Sequence, residues 1–381
     1  YGPTLYGNLD EGTSIGFVPL NVSNPNLKWE TTKQLNFGLD FGLWKNRVTG
    51  TLDIYDKQTD DLLLNQPLGP SSGFTSLLVN RGSINNKGVE LTLSGTLINK
   101  NDFSIDLGGN IAFNKSKIQN LGGSSEDIYI NGTLENRVFY RGQNISTGNY
   151  FRAPANIFME GEQIGLFYGY ETDGIYQTED DITVSGAQAG DVRIVDQDGD
   201  DTITEADRTL IGNPNPDFVY GGYLNMNYKR LSLSVQINGV YGNEIVNGNL
   251  IQLGTAEGRT ANVLSEAYNN AWRPDAQSNS YPRVGYLGES GSPAITDRII
   301  EDGSFLRISN ITLGYDIPVE KTNVFSSANV YVSGMNLFTF TDYSGYNPEI
   351  TNFMNNGNVV GVDWNGFPNA QTIMLGLNLK F

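Results

Sequence analysis

From Gln34 onward, apolar and polar residues alternate one for one. Leu35, Phe37, Leu39, Phe41 and Leu43 fall on one face of an extended chain, and Asn36, Gly38, Asp40 and Gly42 on the other. A period of two is the signature of a strand whose two faces meet different surroundings. The same alternation returns with Val48, Leu52 and Ile54, with Val89, Leu91, Leu93 and Leu97, and with Phe103, Ile105, Leu107, Ile111 and Phe113. Farther on come Phe218, Tyr220, Leu224, Met226 and Tyr228, then Leu231, Leu233, Val235, Ile237 and Tyr241. Ile311, Leu313, Tyr315 and Ile317 follow, then a less regular stretch around Val330 and Val332, and last Ile373, Leu375, Leu377, Leu379 and Phe381. Each segment is about ten residues long, the length a tilted strand needs to cross a bilayer. Polar positions such as Asn36, Asp40, Thr92, Asn225 and Asn227 then fill or wet a lumen.

The connections constrain the topology further. Lys45-Asn46, Asn99 to Asp102, Lys229-Arg230 and Pro318 to Ser327 are short, whereas Asp56 to Asn85, Gly242 to Ser304 and Thr341 to Ala370 are long. Connections of that length are uncommon inside compact soluble domains. They match membrane barrels with short turns at one rim and long extracellular loops at the other. Taking Phe381 as periplasmic makes every short turn periplasmic and every long loop external, provided an even number of strands lies between Lys115 and Pro216. The segment from Arg137 to Gln177 offers two, giving about eleven strands. Bacterial single-chain barrels use an even number, so the expectation is half of a larger barrel. Trp44, Tyr55, Tyr228, Tyr241 and Tyr315, near strand ends, are candidates for the interfacial aromatic girdles.

Composition narrows the chemistry. The 381 residues include neither Cys nor His, which excludes disulfides, thiol chemistry, Cys/His zinc sites and His-dependent triads. A formal charge of −18 argues against nucleic acid, because phosphate neutralisation needs clustered Lys and Arg. The 45 glycines and 11% aromatic content suit a β protein with many turns. No apolar run reaches the length of a membrane helix, a statement that leaves barrel strands untouched. Tyr1-Gly2-Pro3-Thr4-Leu5 carries no initiator Met and no leader pattern, which points to a mature chain or a fragment. Adjacent acidic pairs such as Asp60-Asp61 and Asp180-Asp181 cannot flank a glycosidic bond as a hydrolase requires, so no enzyme is expected.

A family resemblance runs through these residues. Asn24-Pro25-Asn26-Leu27-Lys28-Trp29-Glu30, Asp53-Ile54-Tyr55-Asp56, Asn85-Asn86-Lys87-Gly88-Val89-Glu90-Leu91 and Asp217-Phe218-Val219-Tyr220-Gly221-Gly222 occur in order. Phe305-Leu306-Arg307-Ile308-Ser309-Asn310, Gly334-Met335-Asn336-Leu337-Phe338 and Gly345-Tyr346-Asn347-Pro348-Glu349 complete the series. The set resembles the SusC/RagA-type TonB-dependent transporters of Bacteroidetes. That resemblance implies an all-β transmembrane antiparallel barrel. Residues 1–381 would then be the C-terminal part of one 22-stranded barrel domain, with the plug and first strands outside it. It further implies TonB-driven import across the outer membrane, a SusD-like surface lipoprotein as partner, and oligosaccharide cargo, with peptide as the competing cargo. A non-transporting surface or adhesin barrel is a second reading.

Two sets of candidate site residues remain. Asp196, Asp198, Asp200, Thr202 and Asp207 reproduce the ligand spacing of a calcium loop over residues 196–207, within an external loop. Ca²⁺ or Mg²⁺ would act structurally there. The loop departs from the pattern at Asp201, where Gly is usual, and at Asp207, which is shorter than the usual Glu. A solvated acidic loop held by Asx turns fits the same residues. Trp272, Arg273, Tyr281, Tyr346 and Trp364 offer aromatic faces and hydrogen-bonding groups suited to a sugar, though each taken singly is better suited to loop packing against the barrel rim or a partner.

Overall fold

The computed structural model describes residues 2–8, 12–18, 22–68, 70–74, 76–145, 153–254, 262–286, 295–319, 324–350, 357, 359–364 and 366–381. Tyr1, read above for a leader, lies outside them.

Nine long strands form one sheet: β1 Thr31–Leu43, β2 Val48–Asp60, β3 Ser83–Lys100, β4 Phe103–Asn120, β5 Phe218–Tyr228, β6 Leu231–Tyr241, β7 Phe305–Ile317, β8 Ser327–Thr341 and β9 Thr372–Lys380. They are hydrogen-bonded in strict chain order, each antiparallel to the next, with β1 and β9 at the edges. The register turns alternation along the chain into rows across the sheet. Leu39, Leu52, Leu91, Ile111 and Tyr220 stand side by side on one face. On the other, Asp40, Thr51, Thr92, Asn110, Gly221, Asn238, Arg307 and Thr339 form an unbroken small and polar row. Thr51 donates to Asp40 at 2.8 Å and Ser234 to Asn225 at 2.8 Å, while the hydroxyls of Thr49 and Ser94 and of Thr312 and Ser333 pair at 2.8 Å.

The apolar face carries aromatic residues at both margins. Phe113, Phe218 and Tyr241 meet at ring distances of 5.5 and 5.0 Å at one margin. Phe103 and Tyr228 meet edge to face at 6.0 Å at the other. Ten residues separate Phe103 from Phe113 on β4 and Phe218 from Tyr228 on β5. At about 3.3 Å per residue and a tilt of about 40°, that is a band roughly 25 Å tall, the height of a barrel's lipid-facing belt. Its members are exposed: Leu35 77%, Phe37 62%, Leu313 47%, Ile373 77% and Leu375 79%. An apolar surface continuous over nine strands far exceeds what a soluble monomer leaves bare, and lipid is the medium that covers it. Tyr55 departs from the expected girdle. It stands in the polar row with Asn36 and Gly88, lies over Gly88 and donates to Asn114 at 3.0 Å.

The short connections are as expected, and all lie at one end of the sheet. At residues 44–47 the chain reverses through Trp44, Lys45 and Asn46 with φ of 52, 60 and 62°, a left-handed run that closes the turn. At the opposite end three connections, residues 121–217, 242–304 and 342–371, fold together into a cap with the chain's main buried core. Ile145, Phe167, Val246, Ile295, Val359 and Val362 come from all three. Val246 and Asn247 pair in parallel with Val362 and Asp363, and Tyr170 donates its N–H to Ile295 at 2.9 Å. The cap leans over the polar face of β4, where Ser116 and Ile118 are buried while Lys115 and Lys117 stay exposed.

Two expectations about the wall change. Residues 137–177 add no wall strand: β4 pairs directly with β5, and the intervening segments Phe139–Arg141, Asn156–Met159, Leu166–Tyr170 and Arg208–Gly212 form a small sheet of the cap. The hairpin Gly2–Asn8/Gly12–Val18 forms a separate two-stranded sheet that, among the described residues, is not hydrogen-bonded to the nine. Asp56 and Asn85 belong to strands, not to a loop, because β2 and β3 continue their ladder to the pair Asp60 and Ser83. Beyond the belt both faces of the hairpin meet water or the cap, so the apolar alternation stops while backbone pairing goes on.

Candidate functional site

The motifs quoted above turn out to be joints between wall and loops. Asp56 accepts from Asn85 at 2.6 Å and pairs with Lys87 at 2.9 Å. Glu30 accepts the N–H of Leu63 at 2.7 Å, and Asn80 brackets the backbone of Lys28 at 2.6 and 2.8 Å, tying residues 24–30 to the connection 61–82. Arg307 on β7, 5% exposed, is the densest joint. Its Nε donates to Thr339 at 3.1 Å, Nη2 to Asn347 at 2.7 Å and Nη1 to Glu349, so the segment Gly345 to Glu349 is clamped to the wall by its Asn and Glu. Tyr346, between them, is 76% exposed.

Of the aromatic candidates, only Tyr346 presents an open face. Trp272 is 6% exposed, its indole N–H donates to Gln177 at 3.0 Å, and its ring sits against Gly190 where a Cβ would collide at 2.5 Å. Trp364 packs on the cap core and over Gly248. Trp272 is thereby committed to packing, and Trp364, half-buried, has part of its surface against the cap core. Tyr281 is half-buried, bridges Ala271 and accepts the Trp272 N–H at 3.0 Å through its carbonyl; burial pushes its phenol pKa up. Arg273 is exposed, and its backbone closes a turn with Ala276.

The acidic loop closes on itself. Gly199 and Asp201 N–H groups bond Asp196 at 2.6 and 2.8 Å, and Gln197 and Thr204 N–H groups bond the fully buried Asp207 at 2.8 and 2.7 Å. Asp207 also ends the short turn Glu205–Asp207 in a reciprocal cap with Thr204. One carboxylate oxygen each from Asp196, Asp198 and Asp207 lies within 4.8 Å of the others. Two oxygens on one Ca²⁺ at about 2.4 Å can be no farther apart than that, so these three oxygens meet the spacing limit and would supply three of the six to eight the ion takes. Asp201 takes φ 58°, the left-handed conformation that Gly supplies in a calcium loop. Asp200 is outside the group; its carboxylate takes the Thr202 N–H at 2.8 Å, and Thr202 enters only through its backbone. Burial raises the Asp196 pKa, but the N–H groups of Gly199 and Asp201 outweigh it and hold the carboxyl below its usual range. Desolvation and then the charges of Asp207 and Asp200 push Asp198 up.

With this geometry in view, the chain can be set beside known proteins. The family model described as TonB dependent receptor-like, beta-barrel matches residues 1–337. TonB-dependent receptor P3 of Formosa agariphila is 36% identical over 99% of this chain and 37% of its own length. TonB-dependent receptor SusC of Bacteroides thetaiotaomicron is 31% identical over 94% of this chain and 32% of its own length. Among solved structures, the RagAB peptide transporter aligns over all of this chain and 38% of the matched chain, with a TM-score of 0.77 and 26% identity. The chain thus spans about a third of the length of these relatives, which are receptors and transporters and not enzymes.

Proposed function

Because this chain belongs to the TonB dependent receptor-like β-barrel family, we propose that it supplies part of the wall and external cap of an outer-membrane importer of SusC type. The complete protein takes up oligomeric nutrients with energy relayed by TonB. The observation that carries this reading is the polarity of the molecule. One apolar belt spans the wall, and the connections 121–217, 242–304 and 342–371 gather at one end into a cap with its own core. That end faces outward, and Phe381 at the other faces the periplasm. A SusD-like lipoprotein docks on the cap as a lid. Oligosaccharide is the cargo, taken from a polar inner face whose hydroxyl, amide and carboxylate rows suit many weak hydrogen bonds. Peptide is the second reading, favoured by the alignment with the RagAB peptide transporter. The acidic loop holds Ca²⁺ through Asp196, Asp198 and Asp207, adding rigidity to the cap and no chemistry to transport.

Uptake of labelled oligosaccharides and labelled oligopeptides by cells with and without the gene tests the assignment. Loss of oligosaccharide uptake alone is expected. Loss of peptide uptake alone selects the second reading, and no loss of either returns the chain to the surface or adhesin class.

A further inference from the structure

The outward face of β1 to β4 changes character abruptly above the belt. Leu35, Phe37, Val89 and Phe113 form the floor of a groove of about 780 Å³, and its upper part is lined by Lys87, Lys115 and Lys117. Lys115 and Lys117 lie two and four residues beyond Phe113 on β4. That places them about 5 and 10 Å above the belt margin at a strand tilt of about 40°, the depth of lipid headgroups. The pairing of charges is unusual. Lys115 stands directly opposite Lys87 across the ladder, and like charges so placed repel. Asp56 is the nearest anion in that row and is already held by Lys87 and Asn85. Among the described residues, neither Lys115 nor Lys117 has a carboxylate within 4.0 Å. In a chain of net charge −18, two unpaired lysines beside a third at the rim of a lipid-facing surface mark a place where an external anion completes the structure.

We propose that this groove binds one phosphorylated membrane lipid of the leaflet on the cap side. Its phosphate lies between Lys87, Lys115 and Lys117, and an acyl chain runs down over Phe113 and Val89. The apolar floor selects a lipid over free phosphate, because a phosphate ion gains nothing from it. The lysine stems lie along the belt edge with their ammonium groups at headgroup level. Each lysine near an anionic membrane surface is worth about a factor of five in affinity.

The inference rests on the barrel reading, and the test separates the two. The outer-membrane protein carrying this chain, in non-ionic detergent, is titrated with lipid A, with lipid A stripped of its phosphates, and with inorganic phosphate, and bound lipid is counted by native mass spectrometry. One retained lipid A is expected, weakened about 25-fold in K115Q/K117Q and kept in K115R/K117R. The dephosphorylated lipid should bind both weakly and alike, and millimolar phosphate should not displace lipid A. Equal lipid A binding by K115Q/K117Q, equal affinity for the two lipids, or displacement by phosphate overturns the proposal. Should K115Q/K117Q not fold, the comparison of the two lipids on the unsubstituted protein decides. A protein that stays soluble without detergent and binds neither lipid would overturn the barrel reading itself.

Discussion

Replacing Arg307 with Ala should release one loop without unfolding the wall. The substitution removes the bonds to Thr339 and Asn347 and the ion pair with Glu349. The first two, to neutral groups, contribute about 1 kcal/mol each. The Glu349 carboxylate is 51% exposed, so solvent screens its pair and about 1 kcal/mol is the appropriate figure there as well. A local loss of roughly 2 to 4 kcal/mol raises the open fraction of the loop by about 30- to 700-fold. Pulsed proteolysis of the folded protein, with cleavage mapped to residues 342–371, reads that fraction directly. Arg307→Lys, which keeps the charge but cannot reach three partners, should fall between Ala and the unsubstituted protein. The guanidinium midpoint of the whole protein should move little, because the ladders around β7 are intact. If Arg307→Ala cleaves at the unsubstituted rate within 342–371, the clamp is not what holds this loop, and the account of the Gly345 to Glu349 motif as a joint fails.

Three further outcomes are expected. Leu93→Arg, at mid-height on the apolar face, should cost about 2 to 4 kcal/mol of stability in lipid vesicles, while Thr92→Arg, one residue away on the polar face beside Asp40, should cost less than about 1. Equal costs in a denaturant titration would contradict the assigned faces. Tyr343→Phe should destabilise the cap by about 1.5 to 3 kcal/mol, because the buried Asp363 carboxylate then loses the phenol donor at 2.6 Å; hydrogen exchange at residues 359–364 would report it. Chelation with EDTA should raise protease sensitivity around residues 196–207, and Asp196→Asn should do so without EDTA; an insensitive loop in both experiments leaves the Asx-turn reading of those residues.

Much of the wall was legible because lipid imposes a simple rule. Where one face must be apolar for some 25 Å, alternation marks strand and belt together, and the joints at Lys229-Arg230, Tyr241 and Ile317 stand where that alternation ends. The cap was not legible for the converse reason. Its strands run from two to five residues, too short to carry a period, and their burial comes from partners far along the chain, as with Asn156 and Val360. The same cause hid the partners of Trp272 and Trp364, which pack against Gly190 and Gly248 far along the chain. Lys87 and Lys115, 28 residues apart in sequence, become neighbours only through the register of β3 and β4. In the acidic loop, spacing pointed to Asp196, Asp198, Asp200, Thr202 and Asp207, of which the fold brings the carboxylates of Asp196, Asp198 and Asp207 together.

The membrane reading stands or falls on which face of β4 meets lipid. The chain has no cysteine, so single cysteines at positions 103–113 can carry a nitroxide without a competing thiol in this segment. In reconstituted bilayers, collision rates with oxygen and with a water-soluble nickel chelate should alternate with period two. Positions 103, 105, 107, 109, 111 and 113 should favour oxygen, and 104, 106, 108, 110 and 112 the chelate. An absence of alternation, or chelate access on both faces, would contradict the account.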